Sequence, residues 1–365
     1  MKKGKYYAGK PLKDSPRGGQ NPEAPAGGEA VTGKRKKVGF FPKKGDSKKL
    51  VINKILTIIA LLVFLVCGGI LLYEFVLQPM QTDQSNEKLQ GLYYHEASSR
   101  ETEEGEPAVS SEPEKDENGI LLKFEDVRKI NPDVVGWINI PNTIIDLPVL
   151  QSSEDDPEYY LNRDYEHNVT KSGSIFLDSR DSLEEPASKN LILYGHSLNS
   201  GRMFTDLLKY KQLDFYKNAP VFTFDTVYEE SQWKIISVFI TNTLESHGEA
   251  FDYLRVNFSS DEDYLNFVYQ TRIRSLYNTG VSFNANDQIV MLSTCSYEYD
   301  NWREVVVARK VRPGESAEVD VSQVNWNPRT LYPDIWYTSR GGSKPAWPAT
   351  YAEAKAQGLV TWTED

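Results

Sequence analysis

Cys295 closes the apolar run QIVMLSTC (288–295), and Arg303 follows eight positions later at the head of EVVVARKV (304–311). A cysteine attacks as its thiolate, and an unperturbed thiol ionises only near about pH 8.5, so a nucleophile needs a proton partner and positive charge close by. His196 is a candidate partner. It ends the strand-like NLILYGH (190–196) and precedes a loop-like SLNSG, and a ring at such a junction can face a cleft. If 288–295 and 304–311 pair as a hairpin, Arg303 returns beside Cys295. Its fixed fork of donors can then bind a developing oxyanion or a substrate carbonyl. His196 would protonate a leaving amine and deprotonate an incoming one. Each residue also has a plainer reading: an inert buried thiol, a structural strand-end histidine, a solvated arginine. His95, His167 and His247 sit in polar stretches and read as solvated.

The elements that must position this trio read as strands. GWINIP (136–141), IIDLPVL (144–150), GSIFLD (173–178), NLILYGH (190–196), VFTFDT (221–226), QWKIISVFIT (232–241), QIVMLSTC and EVVVARKV are short, partly alternating and bounded by turn residues. Eight such strands with few helices between them predict a mainly β fold, a closed barrel or a sandwich. LLKFEDVRKIN predicts a short N-terminal helix, and 202–210 another. DEDYLNFVYQTRIRSLY (261–277) predicts a long helix inserted before the cysteine strand, with Ser260 as its N-cap and acids in its first turn.

The rest of the chain sets the compartment. Residues 1–54 hold 15 Lys and Arg against 4 Asp and Glu, a net of +11, whereas 55–365 hold 26 against 48, a net of −22. The divide falls at ILTIIALLVFLVCGGILLY (55–73), uncharged and long enough to span a bilayer. The lysine-rich flank predicts a cytoplasmic N-terminus and an external body; a cleaved signal peptide fits less well, because the run starts late and lacks a small-x-small cleavage site. The expected organisation is therefore a basic disordered cytoplasmic tail (1–54), a transmembrane anchor (55–73), a polar, acidic extracellular stalk (74–118), a catalytic domain (119–311) and a C-terminal extension (312–365). That extension carries four of the seven tryptophans, so it is expected to pack on the barrel and to end in a short helix over 351–359. With Cys67 inside the span, Cys295 is the sole thiol of the external body and has no intrachain disulfide partner there. No Cys/His cluster has ligand spacing, so no metal or cofactor is expected. The acidic body argues against nucleic acid as a partner. Two glycosylation sequons, NVT (168–170) and NFS (257–259), are short enough to occur by chance.

LSTC (292–295) with Arg303, and YGH (194–196) at an earlier strand end, resemble the active-site signature of sortases, membrane-anchored cysteine transpeptidases of Gram-positive bacteria. NPDVVGWINIPNTIIDLPVLQ (131–151), YYLNRDY (159–165), SGSIFLD (172–178) and the long inserted helix are similar to class B members, and the resemblance runs over about 120–311. It implies a closed eight-stranded sortase-like barrel. Carried over, Cys295 matches the nucleophile, His196 the general acid/base and Arg303 the oxyanion-stabilising residue, while Ser293 and Thr294 match positions lining the substrate groove. Met291 stands where the family pattern has Thr, which leaves the rim of the groove open. The implied reaction cleaves a C-terminal sorting signal of a secreted protein through a thioacyl enzyme. An amine of a peptidoglycan precursor or a pilin then accepts the acyl group. Another extracellular cysteine peptidase is the competing enzyme reading; there the cysteine usually precedes the histidine and opens a helix. A catalytically inactive surface binding module is the non-enzymatic one.

Overall fold

The computed structural model describes residues 39–100 and 113–364. The expected tail thus lies mostly outside the described residues, as does 101–112 of the expected stalk. Two compact units divide the chain at Gly68. α1 (Lys48–Leu72) is a 25-residue helix that contains the uncharged run. At about 1.5 Å per residue it is long enough to cross a hydrocarbon core of about 30 Å. It leads through a π-helical turn (Tyr73–Leu77) into α2 (Gln78–Arg100).

α2 lies in the expected polar, acidic stalk, yet part of it is docked. Leu89 and Tyr93, four residues apart and so on one helix face, are buried in a cluster with Phe124, Trp137, Leu150 and Tyr160. Tyr93 stacks on Trp137 with ring centroids 4.2 Å apart, and its hydroxyl donates to Asp225 at 2.8 Å. A single apolar ridge of this kind is easily masked by the acidic residues around it. The same face of the second unit is covered by a 3₁₀ turn (Leu122–Phe124) and α3 (Glu125–Ile130).

The second unit is built on a closed barrel. In chain order its strands are β1 (Val134–Asn139), β2 (Asp146–Gln151), β3 (Ile175–Leu177), β4 (Asn190–Tyr194), β5 (Val221–Thr226) and β6 (Gln232–Asn242). A two-residue strand outside the barrel, β7 (Tyr277–Asn278), precedes the last two barrel strands, β8 (Ile289–Ser296) and β9 (Trp302–Lys310). Round the barrel the order is β1-β2-β3-β4-β8-β9-β6-β5. The pairs β2–β3 and β4–β8 are parallel, and the others are antiparallel. Each of the eight barrel strands overlaps one of the runs read as strands. The expected helix at 202–210 is a 3₁₀ segment (Phe204–Lys211) followed by α4 (Leu213–Asn218). The long helix α5 (Asp261–Arg274) is capped by the Ser260 side chain, which accepts from the backbone of Asp263. It stops short of 277 because Tyr277 pairs instead with Trp326 of β10 (Asn325–Trp326).

Strand alternation divides the side chains into two sets. Leu191, Leu193, Val290, Leu292, Val306 and Ala308 fill the barrel interior with Phe224 and Trp233. Ile289, Met291, Val305 and Val307 face outward into a second cluster beneath α5, with Phe239, Tyr264 and Phe267. Beyond β9 the chain runs through β10 to α6 (Asp334–Arg340) and α7 (Tyr351–Ala356), the latter closed by a capping box between Thr350 and Glu353. Val324 enters the barrel cluster, and Trp362 meets Phe283 edge-on at 6.3 Å.

Candidate active site

Three neighbouring strands, β4, β8 and β9, carry the candidate trio. In the antiparallel pair Cys295 lies directly opposite Arg303, as the hairpin reading requires. In the parallel pair Tyr194 lies opposite Ser293. Two steps further on, β8 reaches Cys295, and the chain leaving β4 reaches His196. The period of two then decides which way the side chains point. Met291, Ser293 and Cys295 share one face of β8; Arg303, Val305 and Val307 share the matching face of β9; Tyr194 shares that of β4, and His196 follows two residues beyond the strand's end. This is the outer face of the barrel, the face that α5 covers at one end and leaves open at the other. The open part is a cleft of about 690 Å³ lined by His196, Tyr253, Ser293, Cys295 and Arg303, among others.

Each group is held by its surroundings. The His196 Nε2 stands 2.9 Å from the Leu161 carbonyl. A carbonyl only accepts, so Nε2 is the donor in that contact. Gly195 just before it leaves no room for a side chain, since a Cβ there would sit 2.7 Å from the Phe204 ring. Thr294 also lines the cleft, and its hydroxyl donates to the Gly195 carbonyl at 2.8 Å, which ties the histidine segment to the cysteine strand. Arg303 Nη1 donates to the Trp302 carbonyl at 3.1 Å. Ser293 is buried, and its Oγ is 2.9 Å from the Tyr253 hydroxyl.

Tyr253 was not legible in the sequence. It lies in the irregular segment between β6 and α5, where no periodicity marks a role. Its phenol is pushed above the ordinary value by burial, partly offset by the Ser293 hydrogen bond and the positive charge of Arg303. Loss of its proton is thereby disfavoured, so Tyr253 presents a neutral hydroxyl to the cleft. Met291 has a simpler account than its departure from the family pattern suggested. It is fully buried, pairs with Ile192 and Val307, and belongs to the apolar cluster under α5. It does not line the cleft, so a thioether serves there as packing. His247, read as solvated, is half-buried and accepts a hydrogen bond from Trp302 Nε1 at 3.1 Å. His167 is exposed.

Among the described residues no group of three or more His, Cys, Asp and Glu is arranged to hold a metal ion. A second cavity of about 380 Å³ lies between α2 and the β2–β3 region. It is lined by Gln81, Ser85, Pro148 and Asp164 among others, without a cysteine, histidine, lysine or arginine. A thiol, an imidazole and a guanidinium converge only in the cleft of Cys295 among these two cavities. Such a set can attack a carbonyl, move a proton and hold a developing negative charge.

Residues 138–311 match the family model described as the sortase domain. Sortase B of Staphylococcus aureus is 34% identical over 198 residues, which is 54% of this chain and 78% of that protein. Sortase B of Listeria monocytogenes is 35% identical over 191 residues, 52% of this chain and 74% of the relative. Among solved structures, the Staphylococcus aureus sortase B–substrate complex superposes with a TM-score of 0.54 at 31% identity, covering 65% of this chain and 99% of that one. Sortase B of Bacillus anthracis gives 0.52 at 30% identity, covering 65% and 99%. The order of the strands, the helix inserted before the cysteine strand and these matches agree: this chain belongs to the sortase family, as a class B sortase, a cysteine transpeptidase.

Proposed function

We propose that Cys295 is the nucleophile of this transpeptidase, His196 its general acid and base, and Arg303 the group that binds the oxyanion. The observation that supports this reading is one cleft lined by all three residues, Cys295 and Arg303 directly opposite on β8 and β9 and His196 just beyond β4. The Cys295 thiolate attacks the carbonyl carbon of a threonine in a C-terminal sorting signal. Arg303 stabilises the resulting oxyanion. The C–N bond breaks, the leaving amine takes its proton from His196, and a thioester remains on Cys295. An incoming amine then gives a proton to His196, forms the new amide and restores the thiolate. A peptidoglycan precursor or a pilin lysine supplies that amine. Ser293, held by Tyr253, borders the substrate path, and Thr294 acts through Gly195 on the position of His196. α1 anchors the enzyme, with the lysine-rich flank inside and the catalytic region, 119–311, outside. The second unit adds α2 to that region, and 312–365 packs on it.

The test uses the full chain in detergent micelles with a fluorogenic peptide library built around a fixed threonine, and with hydroxylamine as a small amine acceptor. Cleavage after the threonine, with transfer to hydroxylamine, is expected. Cys295→Ala should abolish it, and Arg303→Lys should slow it by about 10²-fold or more, the scale of losing one oxyanion donor. Cleavage that survives Cys295→Ala would refute the assignment. Hydrolysis that ignores added amine would favour a peptidase acting on this site.

A further inference from the structure

The family match ends at residue 311, and the 54 residues beyond it have no part in the mechanism above. One piece of that segment, α6, lies against the loop that joins the cysteine strand to the arginine strand. The Tyr299 hydroxyl in that loop shares a short hydrogen bond with the Ser339 hydroxyl. Arg340 Nε donates to the same Tyr299 oxygen at 3.3 Å, and its guanidinium lies 3.8 Å from the centre of the Trp336 ring. Trp336 stacks on Tyr332 at 4.1 Å and 11°. It also lies nearly parallel to Trp302 at 6.3 Å and 22°.

Trp302 connects this layer to the site. It is fully buried, and its ring meets Tyr299 at 4.7 Å. Its backbone carbonyl is the one to which Arg303 Nη1 donates. At the other edge of α6, Asp334 packs on Gly248 so closely that a Cβ there would come within 2.7 Å of its side chain. The carbonyl that steadies Arg303 therefore belongs to a residue whose ring is sandwiched between the barrel and α6. Neither Trp336 nor Arg340 lines the cleft, so any effect on the reaction passes through Trp302 and Tyr299.

We propose that the C-terminal segment is a clasp on the Cys295–Arg303 loop, with Trp336 and Arg340 as positioning residues that hold Arg303 in register for the oxyanion. The inference rests on the reading of Arg303 as the oxyanion-binding group. It gives the segment a role in the chemical step, where the plainer account makes it a cover for the end of the barrel.

The experiment measures steady-state transfer by the full chain in detergent micelles, with the fastest-cleaved library peptide and hydroxylamine. Trp336→Ala, Trp336→Phe and Arg340→Ala are each made with and without Arg303→Lys, and each is melted to record Tm. Trp336→Ala is expected to lower kcat about tenfold, a change of about 1.4 kcal/mol in barrier, with KM within about twofold. Trp336→Phe keeps a stacked ring and should recover most of the rate. Alkylation of Cys295 by iodoacetamide, which develops no oxyanion, should proceed at the parent rate. In the Arg303→Lys background the loss should vanish, because both changes act on one group. A fall in Tm with kcat untouched in Trp336→Ala and Arg340→Ala would leave the segment as a cover only and overturn the clasp, with the assigned catalytic trio intact. Losses that multiply with Arg303→Lys would overturn it as well. Full activity in Arg303→Lys alone would refute the role of Arg303 and the clasp with it. Should Trp336→Ala fail to fold, the exposed Arg340→Ala carries the same readouts.

Discussion

Glu304 adjoins Arg303 in the chain but, by strand alternation, faces the barrel interior, where it is fully buried. Its nearest cation is Lys211, at 3.5 Å. That ammonium is already engaged by Glu298 at 2.5 Å and by the Ser296 hydroxyl at 2.9 Å. Burial therefore dominates and pushes the Glu304 carboxyl up to about 8. The unfolded chain releases this proton near the ordinary value of 4.5, and the folded barrel releases it only near 8. Between those values the folded state holds more protons, so Glu304's contribution to stability falls as pH rises. Asp181, also raised to about 8 by burial, acts in the same direction. Calorimetry at pH 5.5 and pH 8.5 should show a lower Tm at the higher pH, and Glu304→Gln should flatten part of that slope by several degrees. An unchanged slope in Glu304→Gln would show that its carboxyl stays ionised in the fold. Arg303 was readable because a turn between two apolar runs brings it back to Cys295. Glu304 was read only as a strand residue. Its burial depends on which face of β9 closes the barrel, and that is decided by strands far away in the chain.

At the scale of elements, the apolar runs of the barrel were legible because each alternates or is bounded by turn residues. Local capping likewise marked the start of α5 at Ser260. What sequence reading missed are elements defined by tertiary contact. α5 ends where β10 claims Tyr277, and 202–210 winds as 3₁₀ where Phe204 packs against Gly195. α2 is the clearest case, since its docking face amounts to little more than Leu89 and Tyr93 in an otherwise polar helix. Those two anchors should matter. Leu89→Ala removes a fully buried side chain and should cost about 2–3 kcal/mol of stability, measured by denaturant unfolding. Tyr94→Ala, at a residue 43% exposed whose hydroxyl donates to Asp146 at 2.8 Å, should cost less, about 1 kcal/mol. Equal costs would mean that α2 does not dock as described.

Across the whole molecule, the second unit is the part knit by contacts between distant parts of the chain. Closing the barrel requires β1 to find β5, and β4 to find β8. The link from Thr294 to Gly195 spans 99 residues. Long-range and parallel pairings form slowly, since loop closure must precede the contacts that reward it. Refolding should therefore show helix signal returning first. Transfer activity should return later, in step with the slowest phase of tryptophan fluorescence, because Trp233 is buried in the barrel interior. Activity regained with the helix signal would contradict this order. The parallel seam between β4 and β8 thus has a consequence for the life of the chain before it is an enzyme. Until that seam closes, the strands that border the cleft of Cys295 are apart, and the chain has no groove to offer a substrate. The site is thus made by two strands far apart in the chain, and it comes into being only when they meet.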